Sequence, residues 1–191
     1  MTKLEAALLD MAAFLDERRL SYMTIGGFAN LYWGVERFTR DVDITLEIDD
    51  SALPSLIADL AQSFRITVAN PLEFAKRNRL VRVQTHTGVD VDLILAALPY
   101  ESAALRRAVA VELGGRTVKL CSAEDLLIHK LSSERMQDAV DVEGIMVRRA
   151  GRLDLSYLEP LVRQLAAGLE RPEIVEFFSR ALAKSEGRGH G

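Results

Sequence analysis

The chain has 191 residues, 49% of them apolar and 27% charged, which excludes a disordered or fibrous protein and predicts one domain with a proper core and a helical appendage. Lys and Arg total 24 against 28 Asp and Glu, and a formal charge of −4 gives no overall attraction to nucleic acid or to an anionic membrane, so any such contact has to be local. Cys121 is the single cysteine, which rules out an internal disulfide and a multi-cysteine zinc site and makes the cytoplasm the expected compartment.

Leu4, Leu8, Met11, Ala12 and Leu15 recur at helical spacing and predict a first helix from about Leu4 to Arg19. Glu5, Asp10 and Asp16 interrupt its apolar positions, so it reads as amphipathic and not as a signal peptide. No stretch approaches the ~20 apolar residues of a membrane span. A short strand, "YMTI", is broken by Gly26 and Gly27 before "FANLYWG", a turn or two of helix ending at Gly34. A strand over about Val42 to Ile48 follows. Then "DDSALPSLIADLAQSF" predicts a helix with Ser51 as N-cap and Pro54 in its first turn, and a strand lies near Arg65 to Val68.

"RLVRVQTHTGVDVDLILA" alternates twice around Thr85 to Gly88, which predicts a β-hairpin. A second hairpin turns at Gly114 and Gly115, and Ser122 opens "SAEDLLIHKL" much as a capping box would. From there everything reads as helix, over Ala123 to Ser133, Asp138 to Arg149, Leu155 to Ala167 and Pro172 to Lys184. The predicted plan is therefore α+β: an α/β core over residues 1–121, a helical portion over 122–185 packed on it, and a loose glycine-rich tail over 186–191.

The chemistry concentrates in two acidic strands. Asp41 and Asp43 alternate with apolar residues, so both carboxylates share one face of a strand, and Asp90 and Asp92 repeat the pattern in the hairpin. Like charges so placed repel unless a cation or water intervenes. Oxygen ligands at this density suit Mg²⁺ or Mn²⁺, with phosphate oxygens completing the shell. Gly26 and Gly27 permit a tight turn into a helix start, where backbone N–H groups favour phosphate. A "DVD" on a solvated edge and a double glycine in a plain turn are each commonplace; the order Gly–Gly, thirteen-residue gap, Asp–x–Asp and a later acidic strand requires several coincidences together.

"TIGG", "DVDI" and "VDVDLI" resemble the polymerase-β-type nucleotidyltransferase superfamily over about Tyr22 to Leu95, and "SAEDLLIHKLSSERMQDAVDVEGI" is similar to a helical motif of the small AbiEii-like members, extending the likeness to about Met146. The resemblance implies a nucleotidyltransferase-type mixed β-sheet flanked by helices. It further implies transfer of a nucleoside monophosphate from an NTP to an acceptor with release of pyrophosphate, in some relatives as part of a toxin–antitoxin pair. Carried over residue by residue, Asp41 and Asp43 match the metal-binding pair, and Asp92 matches the third carboxylate, with Asp90, one pleat earlier, as the alternative. Gly26 and Gly27 would cradle the triphosphate. Arg37, Thr39 and Arg40 either reach phosphate oxygens or are solvated loop residues.

Lys130 sits beside its helix's apolar stripe and needs a negative partner, either a bound phosphate or Asp138, unless its ammonium reaches water. Asp138 and Asp141 share a helix face and either orient Lys130 or Arg135 or form a structural ion-pair network. His86, His129 and His190 have no metal partner at useful spacing, and Tyr32 and Trp33 read as core or pocket wall. The partners admitted are NTP, an RNA, protein or small-molecule acceptor, and a second copy of the chain, with no membrane. The rival reading is a catalytically silent, antitoxin-like binding protein of the same fold.

Overall fold

The computed structural model describes residues 1–188. Helix α1 (Lys3–Glu17) starts on Thr2, whose hydroxyl accepts the Glu5 N–H while the Thr2 N–H donates to the Glu5 carboxylate at 2.6 Å. This reciprocal pair satisfies two orphan donors of the first turn. There follow β1 (Ser21–Ile25), α2 (Gly26–Trp33), β2 (Asp41–Glu47), α3 (Leu53–Ser63), β3 (Arg65–Ile66), α4 (Pro71–Asn78), β4 (Leu80–Gln84), β5 (Asp90–Leu95), α5 (Pro99–Arg106), β6 (Val109–Leu113) and β7 (Arg116–Leu120). Helices α6 (Ala123–Ser132), α7 (Met136–Arg148), α8 (Leu155–Gly168) and α9 (Glu173–Arg188) complete the chain.

The seven strands form one mixed sheet in the order β3-β4-β5-β2-β1-β7-β6. β2 runs parallel to β5 and β1 parallel to β7, and the other neighbours are antiparallel. Alternation divides the two faces of the central strands. Val42, Ile44 and Leu46 of β2, Val91, Leu93 and Leu95 of β5, and Val81 and Val83 of β4 join Leu8, Met11 and Leu15 of α1 and Leu53, Leu56 and Leu60 of α3 in one buried cluster. Each such aliphatic side chain contributes about 1.5–3 kcal/mol on burial, which fixes the pleat register. The opposite face of β2 and β5 is thereby obliged to carry Asp41, Asp43, Asp90 and Asp92.

The chain divides into two compact units, one of residues 1–28 and 38–121, the other of residues 29–37 with Ser122 onward. In the second, α6 packs on α7 and α8, and α9 packs on α7 and α8. Leu126, Leu127, Val142, Ile145, Met146, Leu158, Val162 and Phe178 are buried there. Among the described residues no helix is long and apolar enough to cross a membrane.

The mixed α+β architecture agrees with the sequence, and the local expectations need correction at three places. Ser51 is not an N-cap: Ala52 precedes α3 without a side-chain cap, while Pro54 does lie in the first turn. Helices α4 and α5 went unpredicted, since each has only eight residues, little more than two turns. α9 continues to Arg188, so the expected tail is helical over residues 186–188. His190 lies outside the described residues.

Candidate active site

β1 ends at Ile25, and Gly26 follows with φ +64°, a left-handed conformation that costs an ordinary residue about 1–2 kcal/mol. Glycine is required here for a second reason: a Cβ on Gly26 would overlap the Asp43 carboxylate, and one on Gly27 would overlap the Thr39 hydroxyl. Thr39 in turn donates from Oγ1 to Asp41 Oδ1 at 3.2 Å. The double glycine, the loop threonine and the Asp–x–Asp strand thus form one contiguous packing unit.

Register then brings in the second acidic strand. In the parallel β2/β5 pair Asp41 is level with Asp90 and Asp43 with Asp92, on strands about 4.8 Å apart. Two rows cross the sheet on this face. One runs Arg65, Gln84, Asp90, Asp41 and the other Arg82, Asp92, Asp43, Ile25. In the first row Arg65 donates to Gln84 Oε1 at 2.5 Å and Gln84 donates from Nε2 to Asp90 Oδ1 at 2.8 Å. In the second, Arg82 Nε lies 3.2 Å from Asp92 Oδ1.

The carboxylates differ in environment. Asp41 and Asp90 are exposed, Asp43 is half-buried, and the Asp92 side chain is 23% exposed. Burial raises the Asp92 carboxyl, the charge and hydrogen bond of Arg82 pull it down, and the charges of Asp41 and Asp90 push it up again, leaving it above the ordinary range. The donor set of carboxylate and hydroxyl oxygens is of the chemistry that suits a hard divalent cation, with the Asp43 carboxylate packed against Gly26. Among the described residues, no three His, Cys, Asp or Glu side chains are drawn around a common point. Asp92 is engaged by Arg82 instead.

Arg40 has its guanidinium over the Phe38 ring at 5.4 Å. Lys130, Asp138 and Arg37 belong to the helical unit. There the Lys130 ammonium, 4% exposed, sits 2.5 Å from Asp138 Oδ1 and 2.8 Å from Asp141 Oδ2. Arg37 Nε lies 2.9 Å from Asp141 Oδ1 and its Nη2 3.0 Å from Oδ2, and Arg135 Nε donates to Asp138 Oδ2 at 2.6 Å. Burial raises both aspartates, but hydrogen bonds from Lys130, Ser133 and Arg135 to Asp138, and from Arg37, Lys130 and Gln137 to Asp141, together with the Lys130 charge, hold both below the usual range. Trp33 is buried with the Arg149 guanidinium 4.9 Å from its ring centroid, and Tyr32 is half-exposed.

Sequence reasoning read Arg82 only as the end of the basic run "KRNRLVR", an RNA contact or a solvated face, and assigned no role to Gln84. The turn alone does not give the pairing: counting outward from Thr85 to Gly88 sets Gln84 against Val89, whereas the ladder closes on Thr85 and Val89 and so pairs Gln84 with Asp90 and Arg82 with Asp92.

Against known proteins, the family model described as "Nucleotidyltransferase of unknown function (DUF6036)" matches residues 2–178. No curated protein sequence matches. Among solved structures the chain is similar to an antigenic nucleotidyltransferase-like protein from Paracoccidioides brasiliensis, with TM-score 0.55 and 18% identity over 93% of this chain and 92% of that one. It is also similar to the lincomycin-bound lincosamide antibiotic adenylyltransferase LnuA, with TM-score 0.52 and 16% identity over 74% of this chain and 95% of that one. At such identities the structural likeness speaks for the fold. The family match spans most of the chain, and the protein belongs to this family of nucleotidyltransferases of unknown function.

Proposed function

We propose that the acidic face of β2 and β5 is the catalytic centre of a metal-dependent nucleotidyltransferase, which moves a nucleoside monophosphate from an NTP to an acceptor hydroxyl or phosphate. The observation that carries this reading is the register of Asp41 and Asp43 beside Asp90 and Asp92 on one face, with Gly26 packed against Asp43. Asp41, Asp43 and Asp92 would hold Mg²⁺ or Mn²⁺. Once bound, the cation supplies charge neutralisation on the triphosphate and on the oxygens that form and lose bonds to phosphorus.

The chain's own residues do the rest. Gly26 and Gly27 let the backbone approach the triphosphate closely, with the start of α2 behind them, and Thr39 holds Asp41 in place. Arg40 supplies positive charge next to Asp41. The acceptor oxygen forms its bond to the α-phosphorus as the bond to the β-phosphate bridging oxygen breaks. Pyrophosphate leaves, and Asp92 takes the acceptor's proton. For Lys130, Asp138 and Arg37 the geometry supports a scaffold of ion pairs within the helical unit; contact of Lys130 with the nucleotide rests on the resemblance to AbiEii-like enzymes.

The acceptor class is read from two sides. LnuA, of like fold, acts on a lincosamide antibiotic, which supports a small-molecule acceptor, whereas the basic run Lys76, Arg77, Arg79 and Arg82 supports an RNA. The deciding experiment incubates the protein with each α-labelled NTP, Mg²⁺ or Mn²⁺, and in separate arms total RNA, cell lysate and a panel of antibiotics. Label transferred by wild type and lost in Asp43→Asn supports the reading and names the acceptor. Tight nucleotide binding with no transfer in any arm favours a silent binding protein, a reading that the Arg82 grip on Asp92 also supports.

A further inference from the structure

Asp92 lies in a crowded negative neighbourhood, level with Asp43 and two residues from Asp90, and Arg82 stands directly across from it on β4. The Arg82 Nε to Asp92 Oδ1 distance is 3.2 Å. We propose that Arg82 is a built-in counter-ion, which holds Asp92 in the cation-free protein and releases it as a divalent cation loads, and so sets the affinity for that cation. This inference rests on the reading of Asp41, Asp43 and Asp92 as a cation site.

Three features favour a releasable pair over a permanent one. The Arg82 side chain is 50% exposed, so its guanidinium can exchange the carboxylate for water at little cost. A buried pair such as Lys130 with Asp138 could not part so readily. The β2/β5 register already places the Asp92 backbone beside Asp43, so side-chain rotation alone would bring the third carboxylate to the other two. Finally, Gln84 holds Asp90 in the neighbouring row with an uncharged amide, so the charged partner is reserved for the more buried carboxylate.

The test measures Mn²⁺ binding directly, by paramagnetic resonance of the free ion, in wild type, Arg82→Gln, Asp92→Asn and the double variant, with Asp43→Asn as the site control. Arg82→Gln is expected to tighten Mn²⁺ binding roughly two- to fivefold, the range an ion pair of this exposure opposes. In the Asp92→Asn background the same substitution should change nothing, because the counter-ion has lost its carboxylate. Equal or weaker binding by Arg82→Gln overturns the proposal. So does an equal gain in the Asp92→Asn background, which would mark a general charge effect. If wild type binds no Mn²⁺, or binds it equally well in Asp43→Asn, the underlying site reading fails, and the counter-ion role falls with it. Melting curves without metal confirm that all variants are folded.

Discussion

The Asp43 carboxylate is seated against the Cα of Gly26 so closely that no side chain fits at that glycine. The relationship couples backbone conformation to site geometry, because the turn that opens α2 also decides where an acidic side chain of β2 can lie. Gly26→Ala is expected to displace Asp43 and to strain a residue at φ +64°. The strain alone costs about 1–2 kcal/mol, and for a chain of this length each kcal/mol lowers the melting temperature by roughly 2–4 °C. Mn²⁺ affinity should fall with it. A variant that melts and binds Mn²⁺ like wild type would show that the turn is plain connective structure.

Asp43→Asn separates chemistry from folding. Asp43 is level with Asp92 and two residues from Asp41, so the substitution removes like-charge repulsion across neighbouring strands. Transfer of labelled nucleotide should disappear while the cation-free melting temperature stays level or rises slightly. Loss of folding in this variant would place Asp43 among the structural residues.

Lys130 presents the opposite balance. Its ammonium neutralises Asp138 and Asp141, which are 1% and 2% exposed at their side chains. Lys130→Met leaves two buried carboxylates with one cation fewer, and breaking a buried pair in this way costs about 3–5 kcal/mol. Thermal denaturation should show the loss without any nucleotide present. Calorimetric titration of the surviving folded protein with a non-hydrolysable NTP then asks a separate question: unchanged affinity assigns Lys130 to the scaffold, and weakened affinity gives it a second role at the nucleotide.

The same cluster sets a pH dependence. Asp138 and Asp141 titrate below the ordinary carboxylate range in the folded protein, so the stability they contribute is complete above the unfolded value, about pH 4. It is lost as pH falls through the lowered folded values. In Lys130→Met the burial that raises both carboxyls meets less opposition, so protonation relieves the variant sooner. The gap in melting temperature between wild type and variant should therefore narrow as pH is taken from 7 towards 4. A constant gap over that range would mean that the carboxylates are not what the lysine stabilises.

How much of this was legible in the sequence follows from the range of the interactions. Asp41 and Asp43 could be placed on one strand face because alternation is a local property, and Gly26 announced its turn because glycine adopts a left-handed φ without strain. Ser122 was readable as a cap because capping spans three residues, and it does accept the Asp125 N–H. Ser51 satisfied the same local rule and failed, because α3 starts two residues later. That β5 lies beside β2, in register, depends on how distant strands order themselves in the sheet, which no local pattern encodes. The Arg82 pairing was not countable from the turn, because the ladder closes on Thr85 and Val89, one residue off a turn at Thr85 to Gly88, and the basic run around Arg82 reads equally well as a solvated face. Arg37 was legible as a loop arginine, and its partner Asp141 was not, because tertiary packing alone brings the two together.

The sequence left open which carboxylate of β5 is the third member of the set, and the two strand positions are chemically unequal. Asp92 is level with Asp43, mostly buried, and carries a charged partner in Arg82; Asp90 is level with Asp41, exposed, and accepts from the neutral Gln84 amide. A mostly buried carboxylate among like charges is harder to dispense with, because its environment has been arranged around it, whereas an exposed one is readily replaced by water. Asp92→Asn should therefore abolish nucleotidyl transfer and weaken Mn²⁺ binding by about tenfold or more, the effect of losing one charged contact of roughly 1.5–3 kcal/mol. Asp90→Asn should keep measurable transfer and change Mn²⁺ affinity only through its charge, an effect that added salt screens. Measuring both variants at low and at physiological ionic strength separates a ligand from a bystander. Abolished transfer in Asp90→Asn with activity retained in Asp92→Asn would move the site by one pleat, to the first residue of β5.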